Sequence, residues 1–213
     1  MSPDAGSTAT DDLPLHSRTP PEWGDAVLSD PVSLLIDHAF LEKKAANNAL
    51  ELLTRWPGDW TPGWVETMTA VARDETAHLA QVMRILTRRG GRLDRVHKNP
   101  YANALRLLVR KGGTGEIIDR LLVSALIEAR SCERFAVLAS AVSADAELQS
   151  FYRALYSSEL GHYRIFLKLA HKIGNAKEVE GRWRQMLGLE ARILAEQAPG
   201  PAIHSGAPHS SAR

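Results

Sequence analysis

Apolar residues return every three or four positions through five long stretches of the chain, the period of a helix with one buried face. The first stretch opens at Asp30, a capping residue, with Pro31 in the first helical position. Leu35, His38, Glu42, Ala45, Ala49 and Leu52 share one stripe, which stops near Trp56-Pro57-Gly58. A second helix is predicted with Thr61 as cap and Pro62 behind it, turning Val65, Met68, Ala72, Glu75, Leu79, Val82 and Leu86 inward until Gly90-Gly91. The segment from there to about Gly115 is too long for a tight turn, and a short amphipathic helix is predicted inside it, Tyr101 to Lys111. The third long helix runs from about Glu116 to Ser140, with Thr114 as cap and Leu121, Ala125, Glu128, Cys132, Phe135 and Ala139 inward. The fourth begins near Asp145 and carries Phe151, Tyr152, Leu155, Glu159, His162 and Phe166 on its apolar face. A fifth is expected over Asn175 to Gln197, where Asn175 and Glu178 have the spacing of a capping box. Val179, Trp183, Met186, Leu187, Glu190 and Leu194 give it a stripe that packs on the outside of the other four.

A few ionisable residues interrupt these stripes. Glu75 and His78 stand one helical turn apart on one face, and Glu159 and His162 repeat the spacing. Glu42 lies 13 residues before Arg55 and Glu75 lies 13 after Pro62, so an antiparallel hairpin brings both carboxylates to one level. The second pair of helices does the same: Glu128 is 13 residues before Ala141 and Glu159 is 14 after Asp145. A carboxylate in an apolar interior must lose its charge or meet a cation. Two Glu-x-x-His pairs with one further inward Glu from each of two neighbouring helices form the ligand set of a di-iron or di-manganese helical bundle. Zinc in a closed structural site would prefer thiolates. The fold class predicted is all-α: a ferritin-like four-helix bundle with one long crossover and additional peripheral helices.

Composition narrows the setting. At 213 residues and 44% hydrophobic, the chain is long enough for one core, placed at residues 22–198. Residues 1–21 and 199–213 are rich in small and polar residues and are expected to be disordered flanks, so His204 and His209 are given no metal role. Cys132 stands alone, which rules out an internal disulfide and fits a reducing cytoplasm. No signal peptide opens the chain and no apolar run approaches the roughly 18 residues of a membrane span, so a cytoplasmic protein is expected. A net charge of +1 gives no global attraction to nucleic acid. Locally, Arg84 to Lys111 holds nine basic residues and one acid, Asp94. Solvated helix ends explain such a run; so does a grip on phosphates, with Arg106, Arg110 and Lys111 as RNA-binding candidates.

Other polar residues have two readings each. His38 is expected to support Glu42 or fill the core rather than bind metal. Asp37 and Asp74 either orient the histidines or lie in solvent. Arg130 and Arg134 pair with ligand carboxylates or with other helix-surface groups. Glu133 falls about 140° around the helix from Glu128 and belongs to a neighbouring seam, where Arg130 is a candidate partner. Gly161 permits either a close approach or a local bulge.

The chain resembles the bacterial tRNA 2-methylthio-N6-isopentenyladenosine hydroxylases. The likeness lies in Leu34-Leu-Ile-Asp-His-Ala-Phe-Leu-Glu-Lys-Lys-Ala-Ala46 around Glu42, in the first Glu-x-x-His, and in Ile127-Glu-Ala-Arg-Ser-Cys-Glu-Arg-Phe135. Phe151-Tyr152-Arg153 leading to Glu159 and His162 completes it, over roughly residues 22 to 198. The resemblance implies a non-haem di-iron monooxygenase that hydroxylates the isopentenyl side chain of the modified adenosine beside the tRNA anticodon. It implies two iron ions, O2 as co-substrate, and electrons from an unidentified donor. Glu42, Glu75, His78, Glu128, Glu159 and His162 would be the metal ligands and thereby the catalytic residues. Alternatives are a di-iron oxidase or oxygenase of a free small molecule, a ferroxidase or iron-storage protein, and a metal-free helical interaction module.

Overall fold

A computed structural model describes residues 12–58, 60–141 and 143–208. Its helices are α1 (Glu22–Leu28), α2 (Pro31–Leu52), α3 (Trp64–Arg88), α4 (Pro100–Arg106), α5 (Gly113–Ser140), α6 (Ala146–Ile173) and α7 (Ala176–Ala195). Three of the longer helices start at side-chain caps, two of them, Asp30 and Asn175, as the sequence suggests. Asp30 accepts from Ser33 N at 3.1 Å, Asp145 from Leu148 N at 2.9 Å, and Asn175 from the backbone of Lys177 and Glu178.

Other boundaries move for local reasons. Gly63, at φ 78°, caps α3 instead of Thr61, whose carbonyl accepts from Trp64 N. The buried Trp64 indole then donates to the Leu52 carbonyl at 2.8 Å, closing the α2–α3 turn. Gly112 and Gly113 both have positive φ, so α5 starts ahead of Thr114, and Glu116 accepts from Gly112 N at 2.8 Å. The short helix ends at Arg106 rather than Lys111, because Arg110 N is drawn to the Asp119 carboxylate at 2.9 Å. With only seven residues, α1 is too short to show a period, but it buries Trp23, Val27 and Leu28.

The dominant packing is within two hairpins, α2 with α3 and α5 with α6. The crossover between them carries α4, which gives the ferritin-like topology of a bundle with one long connection. The apolar core divides into two clusters along the bundle. One holds Trp64, Met68, Leu121 and Phe166; the other holds Leu34, Leu35, Val82, Phe135 and Tyr152. On α2, α3 and α6 the change from one cluster to the other falls at the ionisable residues, and on α5 it falls just beyond Glu128, between Cys132 and Phe135. Leu35 and Ala49 flank Glu42, Ala72 and Val82 flank Glu75 and His78, and Leu155 and Phe166 flank Glu159 and His162. The equal levels inferred from residue counts are therefore built.

The flanks depart from expectation over their described residues. Leu13, Leu15 and Thr19 are buried before α1, and Ile203, His204 and Ser205 after α7. Their composition is too polar to predict packing, and the partners that hold them are themselves polar and buried. The Glu133 carboxylate accepts from Thr19 N and Oγ1, and Arg130 donates to the Ser17 carbonyl and hydroxyl. Arg134 donates to the Ser205 carbonyl at 2.9 Å, and the Trp23 indole to Ser205 Oγ at 3.1 Å. Asp37 accepts from Ile203 N at 2.8 Å. Residues 1–11 and 209–213, with His209, lie outside the described residues.

His204 tests this docking. Its ring stacks on Tyr101 at 4.5 Å and is buried. Burial, with Arg134 and Arg130 nearby, holds its pKa well below the ordinary value of 6.5. The folded chain thus refuses a proton that the unfolded chain accepts, so the His204 contribution is intact above pH 6.5 and lost as pH falls. Below that point each pH unit should cost up to about 1.4 kcal/mol. Denaturation midpoints of the wild type and His204→Gln between pH 7.5 and 5 should diverge in slope, with the variant flatter. Parallel slopes would contradict the docked, neutral ring.

Candidate metal centre

Four helices deliver six side chains to the level between the two apolar clusters: Glu42 from α2, Glu75 and His78 from α3, Glu128 from α5, Glu159 and His162 from α6. All six are buried. One ligand atom from each of Glu42, Glu75, His78 and Glu159 lies within 4.8 Å of the others. His162 joins them, its Nδ1 at 2.8 Å from Glu75 Oε1 and 2.9 Å from Glu159 Oε2. Nδ1 of His78 sits 3.0 Å from Glu159 Oε1 and 3.6 Å from Glu42 Oε2. Glu128 closes the group within hydrogen-bonding reach of Glu159.

Crowding sets the protonation of the cluster. Burial, Glu75 and Glu159 push Glu128 well above the usual carboxylate range. Burial and Glu159 raise Glu75 to about 7, against the pull of His162 and His78. Burial would raise Glu42 and Glu159 too, but bonds to the histidines outweigh it and hold both below the ordinary value. Burial opposes charge on the imidazoles, yet Glu159, Glu42 and Glu75 lift His78 to about 12, and Glu159 and Glu75 lift His162 to about 11. Two imidazolium ions therefore serve four carboxylates, and two of those carboxylates still resist ionising. Glu75 Oε1, Glu159 Oε1 and His78 Nδ1 are buried close to opposite charge without an aligned hydrogen bond. Orphaned donors and acceptors facing one another in a dry layer fit a site for divalent cations.

The sequence profile of the tRNA-(MS[2]IO[6]A)-hydroxylase family (MiaE) matches residues 8–205. The chain belongs to this family. It is 39% identical over 198 residues to the tRNA 2-(methylsulfanyl)-N(6)-isopentenyladenosine(37) hydroxylase of Pseudomonas putida, covering 93% of this chain and 95% of the relative. The Salmonella typhimurium protein of the same name is 28% identical over 242 residues, covering 91% of this chain and 88% of the relative. Among solved structures, protein 43 with aldehyde deformylating oxygenase activity from Synechococcus superposes with a TM-score of 0.84 at 30% identity, over 92% of this chain and 98% of that one.

Around the six residues of this hydroxylase-family chain, the secondary candidates separate. His38 donates no ligand atom to the group; its Nε2 lies 2.6 Å from Glu42 Oε1, and its ring rests among Phe135, Phe151 and Tyr152. Asp37 reaches His97 at 2.7 Å and not a site histidine. Asp74 stays 3.7 Å from His162 Nε2, outside hydrogen-bond range, and pairs with Arg73. Arg130 is neither at the surface nor on a ligand carboxylate: wholly buried, it bonds Glu133 at 3.0 Å and Glu190 at 2.8 Å. Arg134 lies over the Trp23 ring at 4.0 Å. Cys132 is a buried core thiol. A methyl group at Gly161 would meet open space, and α6 runs through it unbroken, so neither a close approach nor a bulge explains it.

The RNA candidates also divide. Arg110 is committed elsewhere, to Asp119 at 2.9 Å and Glu178 at 3.2 Å, with Arg182 on the far side of Asp119. It ties the end of the crossover to α5 and α7. Lys111 is exposed. Arg106 is exposed as well, and lines a cavity of about 430 Å³ that includes Glu128 in its wall. Lys44, Asn47 and Asn48 line the same cavity. Periodicity passes over these three because they fall off the apolar stripe of α2, although a polar run beside an inward Glu is an available signal.

The positions of Glu128, Glu133 and His38 predict different losses. Glu128→Ala should strip most metal from reconstituted protein. Glu133→Ala should keep the metal but cost about 3 kcal/mol in denaturation, since it leaves part of Arg130 buried without its partner. Metal analysis and denaturant midpoints on the two variants separate these outcomes, and retention by Glu128→Ala with loss by Glu133→Ala would reverse the assignment. His38→Ala removes the imidazole that fixes Glu42. Competition with a chelator should show metal affinity lowered about 10- to 100-fold; unchanged affinity would make His38 a packing residue only.

Proposed function

We propose that this chain is an O2-dependent di-iron hydroxylase acting on the isopentenyl side chain of 2-methylthio-N6-isopentenyladenosine in tRNA. The observation that carries the reading is the ionisable layer: six residues from four helices, four carboxylates and two imidazoles, at one level of a ferritin-like bundle. Two iron ions held there would supply the reduction of O2 and the oxidation of an unactivated C–H bond. Glu42, Glu75, His78, Glu128, Glu159 and His162 would hold them, with manganese as the other metal such donors suit. The chain's own contribution is position and dryness. His38 holds Glu42 in one orientation, the apolar clusters above and below keep bulk water from the layer, and Glu128 faces the cavity through which a substrate atom can approach. The names of the two bacterial relatives support the substrate, and the oxygenase activity of the Synechococcus protein supports the use of O2. Electrons would come from an external donor. Among the described residues no helix is long and apolar enough to cross a membrane, and a tRNA substrate favours the cytoplasm.

The test compares modified nucleosides in tRNA from cells with and without the gene. Deletion should leave the isopentenyl side chain unhydroxylated. The wild-type gene should restore hydroxylation, and Glu75→Ala or His162→Ala should fail to do so while remaining helical and soluble. Likeness to an aldehyde-converting oxygenase favours a second reading, a di-iron oxygenase of a free small molecule. Full tRNA hydroxylation in the deletion strain would move the conclusion there.

A further inference from the structure

The cavity beside Glu128 is bounded by α2, α4 and α5, and its two sides differ. Val123, Ser124 and Glu128 are buried in its wall, whereas Lys44, Asn103 and Arg106 are exposed at its rim. The rim is positively charged. Lys44 Nζ contacts His97 Nδ1 at 2.9 Å, a ring nitrogen and not a carboxylate. Arg106 makes no ion pair among the described residues. Burial is the first cause disfavouring the Lys44 ammonium charge; Asp37 favours that charge, and Arg106 and Lys43 disfavour it. By contrast Arg120, also in the lining, is neutralised by Glu116 at 2.9 Å and Glu51 at 3.5 Å. Lys44 and Arg106 line the same cavity, and an anion between two cations relieves their repulsion.

Asn48 adds a directional group. Its Nδ2 lies 2.9 Å from Ser124 Oγ, and that hydroxyl donates to the Arg120 carbonyl at 2.9 Å. Having given its only proton away, Ser124 must accept from Asn48, which fixes the carboxamide with Nδ2 toward Ser124. The Oδ1 acceptor is then left for whatever occupies the cavity. Val123 and Ile127 of α5 add apolar side chains to the same lining as Asn48 and Glu128.

We propose that this cavity seats the reacting nucleotide: Lys44 and Arg106 hold a phosphate at the rim, Asn48 Oδ1 accepts from the N6–H of the base, and the prenyl chain passes Val123 and Ile127 toward Glu128. The proposal rests on the tRNA-hydroxylase reading and deepens it. An N6-alkylated adenine keeps one N–H, so a single well-placed acceptor matches it. Single-stranded RNA bases are commonly read when they are splayed from their loop, with the phosphates gripped beside them.

The probe is an anticodon stem-loop RNA carrying the prenylated adenosine, beside the same loop with plain adenosine. Binding to metal-free protein is measured against salt, and hydroxylation on iron-loaded protein, with iron content checked for each variant. The double variant Lys44→Ala, Arg106→Ala should bind the RNA at least 10-fold more weakly. Its slope of log affinity against log salt should be shallower by about 0.7, the value for one lost phosphate on a single strand. A charge-matched control, Arg92→Ala with Arg95→Ala, removes two exposed cations of the crossover that do not line the cavity, and should lose less than 3-fold. Asn48→Leu should lower kcat/KM for the prenylated loop about 10- to 100-fold while loading iron as the wild type does. Asn103→Trp, at an exposed rim position, should block hydroxylation and leave iron loading intact. Equal losses in the double variant and its control, or full hydroxylation by Asn103→Trp, would overturn the cavity assignment. A wild-type protein that loads iron and hydroxylates no tRNA would instead overturn the functional reading on which it rests.

Discussion

Four carboxylates buried at one level of a helical bundle are the constraint around which this molecule is arranged. Leaving any one of them charged and unpaired in an apolar interior costs several kcal/mol, whereas choices of helix propensity along the four helices are worth at most about 1 kcal/mol each. The cost of unpaired charge therefore decides the architecture. Each long helix must present its ionisable residue at the same height, because only there do carboxylates from other helices and the imidazoles of His78 and His162 come within 4 Å. The two apolar clusters are what remains above and below that layer. Pairing with two imidazoles leaves the charge incomplete, as the raised pKa values of Glu75 and Glu128 record. The layer is organised for more positive charge than the polypeptide itself provides.

A second buried polar group solves a different problem. Arg130, Glu133 and Glu190 form an ion-pair triad with no exposed member, extended by Tyr101, which donates to Glu190 at 3.0 Å. Such a triad is weak evidence for stability, since apolar residues of equal volume often serve as well. Its value here is address. Arg130 and Glu133 present directed bonds to Ser17 and Thr19, Glu190 brings α7 to α5, and Tyr101 brings the crossover helix to both. These largely polar segments dock by hydrogen bonding as well as by burying Leu13, Leu15 and Ile203 in the two apolar clusters.

That distinction marks the boundary of what was legible in the sequence. The four long helices, their inward stripes and the common level of Glu42, Glu75, Glu128 and Glu159 follow from periodicity and counting, because one repeated physical requirement acts along each whole helix. That Glu128 turns toward the layer and Glu133 toward Arg130 was legible in the same way, from helical phase and level together. Helix starts at Gly63 and Gly112 were not, since they depend on positive φ at single glycines and not on a pattern. Nor was the docking of residues 13–19 and 203–205, whose partners are spread over α1, α2 and α5 and have no sequence neighbourhood in common. Arg110 shows the same limit from the other side: a basic run predicts exposed charge, and only the fold reveals that Asp119 has claimed this member of it.

The two polar groups meet in α5, which explains why that helix is buried on nearly every face between Ile118 and Phe135. Glu128 points to the layer between the hairpins; Arg130, Glu133 and Arg134 point away from it, toward the chain's flanks. Since the groups lie within one or two helical turns of each other, α5 cannot rotate to improve one without breaking the other. Docking of the flanks thus fixes the rotation of the helix that supplies Glu128, and Glu128 is the ligand candidate that borders the cavity. Segments that composition marks as dispensable consequently hold in register the residue nearest to where a substrate would enter.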